Sequence, residues 1–165
     1  MHVYRNPFCM IFVLENGHPL RLFPGQSATN GEIPSGAVWA GLDKNGDNMY
    51  VARARHEEDL LPGKVVPNKG GMFVSYGGQE HSKCAYEVML GRGAVAWQQC
   101  SGGRVPPKAV EAGRTCDGEK LYVGRVVHDG ALTPGKVHGS HRKCYIPFDG
   151  KELAFDKYEV LVVVD

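Results

Sequence analysis

Apolar and polar positions alternate along this chain in short bursts, and glycine or proline separates one burst from the next. Segments 37–42, 49–54, 64–67, 72–76 and 86–90 are rich in Val, Tyr, Phe, Met and Ile, the composition of half-buried strands. Between the first two lies Asp43–Lys44–Asn45–Gly46–Asp47, and an Asn-Gly pair flanked by apolar runs predicts a hairpin turn. Segments 68–71 and 77–78 supply further turn chemistry. No window of about ten residues or more sustains a 3.6-residue period, so helix is expected to be scarce. The pattern predicts an all-β chain.

The same pattern occurs twice. A shift of about 72 positions lays residues 33–90 over 105–162 without a gap, and roughly a third of the aligned positions are identical. Pro62–Gly63–Lys64–Val65 returns as Pro134–Gly135–Lys136–Val137, Tyr50–Val51 as Tyr122–Val123, and Tyr86–Glu87–Val88 as Tyr158–Glu159–Val160. Each copy offers about five short strands, too little sheet to bury both faces. Two tandem pseudo-symmetric copies, packed as β-sandwich-like units with strand exchange as one way to close the core, are therefore expected. The expected division is an N-terminal extension at 1–28, a first repeat at 29–90, a connection at 91–104 with a strand at 95–97, and a second repeat at 105–165. Apolar runs at 10–14 and 20–23 around Asn16–Gly17 predict an extra hairpin in the extension, with frayed chain as the other reading.

Charge narrows the function classes. The formal net charge is +1, and Lys and Arg are interspersed with Asp and Glu rather than clustered, which argues against nucleic acid as a partner. No stretch approaches the roughly 18 apolar residues of a membrane-spanning helix. The apolar run 8–14 leads into Glu15–Asn16–Gly17–His18–Pro19 with no small-residue cleavage site, so it reads as a strand rather than a leader. Five cysteines, none at matching positions in the two copies, read as free thiols in a reducing compartment. The expected address is cytoplasmic or vesicle-associated, with leaderless secretion as the other route.

Two charged residues read as turn positions: Asp43 opens the hairpin turn, and Lys64 follows Pro62–Gly63. A carboxylate and an ammonium within reach of each other can take a vicinal diol, the carboxylate accepting from hydroxyls and the ammonium donating to oxygen lone pairs. Spacing alone favours a plainer reading, in which Asp43 caps its turn and Lys64 makes a surface ion pair. Other chemistry finds less support. Residues 43–47 begin like a calcium-binding loop, but that loop wants Gly and Glu where Asn48 and Ala54 stand. His81 with Cys84 and His141 with Cys144 have a zinc-like separation, but their mutual spacing is not the repeat period. His56 and His128 lie beside acidic residues as a general base would, yet read more simply as packed side chains, and Trp39 reads as a sheet aromatic that can flank a ligand. With no phosphate loop, nucleophile elbow or HExxH motif, no enzyme, no metal and no cofactor are expected.

The run of motifs in both copies, from Ala40–Gly41–Leu42–Asp43 and Tyr50–Val51–Ala52–Arg53 through Leu61–Pro62–Gly63–Lys64–Val65 to Val74–Ser75–Tyr76–Gly77–Gly78, resembles the DM-nine repeat family. The resemblance covers about 29–162 and implies tandem β-sandwich repeats acting as calcium-independent, mannose-binding lectins in innate-immune pattern recognition or agglutination. It implies that Asp43 and Lys64 hold the sugar, because they match the aspartate and lysine that do so in the family. The second copy keeps Lys136 but has Thr115 in place of Asp43, so its site is weakened unless Asp117 reaches in from the turn. The expected partners are mannose or mannose-containing glycans on microbial surfaces, bound weakly per ring and with avidity from a homodimer. The alternative is an intracellular adaptor in vesicle traffic or stress response with a vestigial sugar site.

Overall fold

The computed structural model describes residues 14–15, 18–19, 23–91 and 94–164. Leu14–Glu15 (β1) pairs antiparallel with His18–Pro19 (β2); the rest of the expected hairpin, at 10–13, 16–17 and 20–22, lies outside the described residues. The first repeat supplies β3 (Gly25–Thr29), β4 (Trp39–Leu42), β5 (Asn48–His56), β6 (Asp59–Val66), β7 (Gly71–Tyr76), β8 (Gln79–Lys83) and β9 (Ala85–Met89). The second supplies β10 (Ala94–Ser101), β11 (Glu111–Arg114), β12 (Lys120–His128), β13 (Ala131–His138), β14 (Lys143–Phe148), β15 (Lys151–Phe155) and β16 (Lys157–Val164). These last fourteen strands belong to one sheet, and among the described residues the helical segments are single turns at Pro67–Lys69 and Gly139–His141. The fold is all-β, as the patterning predicts.

The pseudo-symmetry extends past the aligned blocks. β3 lies antiparallel on β9 as β10 lies on β16, and Tyr86 Oη donates to Glu32 O at 3.0 Å as Tyr158 Oη donates to Arg104 O at 2.7 Å. Each repeat centres a core, around Leu61, Met72 and Val74 in the first, joined by Leu121 of the second, and around Val137, Ile146 and Val160 in the second. A third core is shared: Val38, Ala40, Val51 and Met89 pack with Val110, Ala112, Val123 and Leu161. Neither repeat buries this last set without the other.

The repeats interlock through backbone. Leu60 near the start of β6 stands opposite Arg114 of β11 in the other repeat, whereas from Lys64 onward β6 pairs with β7 of its own. Pro62 falls between the two ladders, where a strand can do without an N–H. This corrects the placement of Lys64 at a turn: Pro62–Gly63–Lys64 lies inside an eight-residue strand. The glycine serves close approach rather than reversal, since a Cβ built on Gly63 would stand 2.2 Å from Phe73 O. At the pseudo-twofold axis the Gly77–Gly78 and Asp149–Gly150 turns exchange bonds, Glu80 N donating to Gly150 O at 3.1 Å and Glu152 N to Gly78 O at 3.0 Å. Arg53 Nη1 donates across the boundary to Ala112 O, and Arg125 Nη1 to Ala40 O.

Candidate functional site

The turn after β4 holds Asp43 by its own geometry. Asp43 Oδ1 accepts from Asn45 N at 2.8 Å and Asp47 N at 2.9 Å, while Asp43 N donates to Asp47 O. That is the turn-capping role sequence spacing favours. It uses one carboxylate oxygen only. The other, Oδ2, is buried and accepts no hydrogen bond; Lys69 Nζ lies 3.9 Å away on a half-exposed side chain. A buried carboxylate oxygen without a donor is costly, so this atom can accept from a hydroxyl brought to it.

Lys64 is not on the surface. Its side chain leaves β6, crosses the repeat boundary and donates from Nζ to Pro147 O at 2.8 Å; Glu80 Oε2 stands 3.0 Å from the same nitrogen. Burial pulls its ammonium below the usual lysine range, against the opposing pull of Glu80 and Asp43. Two of its three N–H directions are engaged, and one remains. Phe73 and Phe148 lie 5.6 and 5.9 Å from the nitrogen. Beside them Lys44 Nζ pairs with Asp149 Oδ2 at 2.5 Å; this hydrogen bond holds Asp149 below and Lys44 above their ordinary ranges. Asp43, Lys64, Lys69 and Glu80 from one repeat thus meet Phe148, Asp149 and the Pro147 carbonyl from the other.

Lys136 repeats the arrangement. Its Nζ donates to Ser75 O at 2.8 Å, faces Glu152 Oε2 at 3.0 Å and lies between Tyr76 and Tyr145. Thr115 keeps only the turn role of Asp43, its Oγ1 accepting from Glu119 N at 3.1 Å. Asp117 stands exposed on that turn beside Cys116, whose thiol it pushes up; the acid beside Lys136 is Glu152. The structure therefore brings Asp43 and Lys64 into one electrostatic cluster, and leaves Lys136 in the matching arrangement with Thr115 at the position of Asp43.

Sequence reasoning passed over Glu80, Lys69, Lys44, Phe148 and Asp149. One signal was available, since Glu80 recurs as Glu152 at the repeat period. Of the remaining candidates the two histidines pack against other rings, and Trp39 does not. His56 stacks on His81 with ring centroids 4.1 Å apart, His128 meets Phe148 edge-on, and exposed Trp39 donates from Nε1 to Asn48 Oδ1. Among the described residues, no three His, Cys, Asp or Glu side chains are grouped as a metal would need.

Comparison with known proteins bears on family and fold. The family model described as DM9 repeat matches residues 43–155, which takes in both Asp43 and Lys136. Natterin-4 of Thalassophryne nattereri is 33% identical over 138 residues, which cover 81% of this chain and 32% of the relative. Natterin-3 of the same fish is 32% identical over 140 residues, 82% of this chain and 35% of the relative. The chain thus spans about a third of the length of these curated relatives. Among solved structures, the nematode sperm cell motility protein MFP2B matches 96% of this chain and 53% of its own, with a TM-score of 0.63 and 14% identity, a likeness of fold alone.

Proposed function

The chain belongs to the DM9 repeat family, and from that premise we propose that it is a lectin-like protein that binds mannose-type glycans without calcium and catalyses no reaction. The observation that carries the reading is the donor-free Oδ2 of Asp43, buried 3.9 Å from Lys69 and in electrostatic reach of Lys64, whose ammonium lies 5.9 Å from the Phe148 ring of the other repeat. A sugar hydroxyl donates to that oxygen, the free N–H of Lys64 donates to a neighbouring ring oxygen, and the half-exposed Lys69 swings aside to admit them. Phe148 offers an apolar face to the ring's C–H groups. One small polar ring buries little area, so single-site affinity is weak, and engagement of repetitive glycans on microbial surfaces relies on a homodimer.

Asp43→Asn tests this reading without dismantling the turn. Asparagine keeps an Oδ1 that accepts from Asn45 N and Asp47 N, but puts an NH₂ where the free carboxylate oxygen was. Losing a charge-assisted acceptor is expected to weaken methyl mannoside binding by about 10- to 100-fold, with little change in the unfolding midpoint. Isothermal titration in EDTA measures it. Wild-type protein that binds no mannoside under those conditions overturns the lectin reading in favour of an adaptor with a vestigial pocket. Equal binding by Asp43→Asn removes Asp43 from the site.

A further inference from the structure

The histidines that break the repeat gather around Lys136. His138 and His141 stand where the first copy has Val66 and Lys69, and His81 stands where the second has Leu153. His81 stacks on His56, which feels the charge of Lys136. The tighter stack is His138 on His141, with ring centroids 3.6 Å apart and planes 18° from parallel. It is tied at both ends. His138 Nε2 lies 3.3 Å from Glu119 Oε1, while Glu119 also accepts from Ser140 N and Ser140 Oγ. His141 Nδ1 meets Tyr145 Oη at 3.0 Å, and the Tyr145 ring lies 5.5 Å from Lys136 Nζ. A continuous chain of contacts therefore runs from the hairpin turn before β12, through the Gly139–His141 turn, to the Lys136 ammonium.

We infer that the His138–His141 stack is an acid-operated latch on the Lys136 cluster, closed while the His138 ring is neutral and opened when a proton reaches it, and that the Asp43–Lys64 cluster has no such latch.

Two neutral imidazoles stack readily, whereas two imidazolium ions at this separation repel. Of the groups facing His138, Lys136 on its own strand adds to that bias and Glu119 opposes it, while Lys143 opposite it on β14 is paired with Asp156 Oδ1 at 2.5 Å. His141 faces the neutral Tyr145, behind which stand Lys143 and Glu152. Burial, then His141, holds His138 below the ordinary histidine value of 6.5. A histidine depressed in the closed turn binds fewer protons there than when open, so closure loses free energy as the pH falls below that value. The first copy joins the same two turns without imidazole. Asn68 Nδ2 donates to Asp47 Oδ1 at 2.6 Å, and Lys69 approaches Asp43.

The two matching turns allow an internal comparison that needs no sugar, so its outcome stands apart from that of the carbohydrate reading. Arg142 N donates to Gly139 O as Gly70 N donates to Pro67 O. Amide exchange on the intact chain, corrected for intrinsic rates, is expected to show protection at Arg142 falling about tenfold or more between roughly pH 7 and pH 5, with Gly70 changing by less than about twofold. Grafting the first-copy residues, as His138→Val or separately His141→Lys, is expected to flatten the Arg142 response. Both substitutions place a residue this fold already carries at the matching position. Equal pH responses at Arg142 and Gly70, or an Arg142 response that survives both grafts, overturns the latch.

Discussion

Lys64→Met is expected to lower stability by about 3–5 kcal/mol, because it removes one partner of a buried ion pair and leaves the other charged. Lys64 Nζ holds Pro147 O at 2.8 Å and stands 3.0 Å from Glu80 Oε2, a buried carboxylate oxygen. Methionine fills much of the lysine stem's volume, so the loss reports the ammonium rather than a cavity. For a chain of this size such a loss lowers the thermal midpoint by about 10 °C or more, readable by circular dichroism. Lys136→Met should behave alike, since its bonds to Ser75 O and Glu152 are the pseudo-symmetric mates. The exposed Lys44–Asp149 pair is the control: Lys44→Met should leave the midpoint almost unchanged. If Lys64→Met melts with the wild type, the ammonium does not clamp the repeats together.

Gly135→Ala is expected to be as damaging, by a different route. A Cβ on Gly135 would stand 2.0 Å from Tyr145 O and 3.0 Å from Ile146 Cα, both backbone atoms of β14. No rotamer relieves that overlap. The β13–β14 ladder must open, and the Lys136 that follows loses its aim, so a cost of about 3 kcal/mol or more is expected. Gly118→Ala is the contrast: nothing lies within 4 Å of its Cβ, and only its φ of +86° opposes the change, at about 1–2 kcal/mol. Urea midpoints of the two variants separate close approach from backbone strain. Similar midpoints would mean that the strands relax apart cheaply.

These two effects explain what the sequence could and could not reveal. The period announced two homologous sets of strands, and the hairpin at Asn45–Gly46 was legible because its turn chemistry is local. Pro62–Gly63–Lys64 looked like a turn because proline and glycine usually interrupt strands. Here proline marks where β6 changes partner, and glycine admits the next strand's carbonyl, both set by tertiary contacts. β8 escaped notice because Gln79–Lys83 is polar throughout and shows no alternation, its Glu80 facing Lys64 rather than water. Asp43 was legible as a turn cap and as a carboxylate, whereas the free state of its Oδ2 depends on placement. Least legible was the composite nature of the site. A repeat period implies resemblance between Lys64 and Lys136, but nothing in it says that each reaches into the other copy, 83 residues away from Lys64 at Pro147.

That composite site is the central claim, and a heteronuclear NMR titration tests it most directly. Methyl α-mannoside added to the intact protein in EDTA should shift the amides of Asn45, Asp47 and Lys69 in the first repeat together with those of Phe148 and Asp149 in the second, on one binding curve. Shifts confined to a single repeat, or none at saturating sugar, would contradict it.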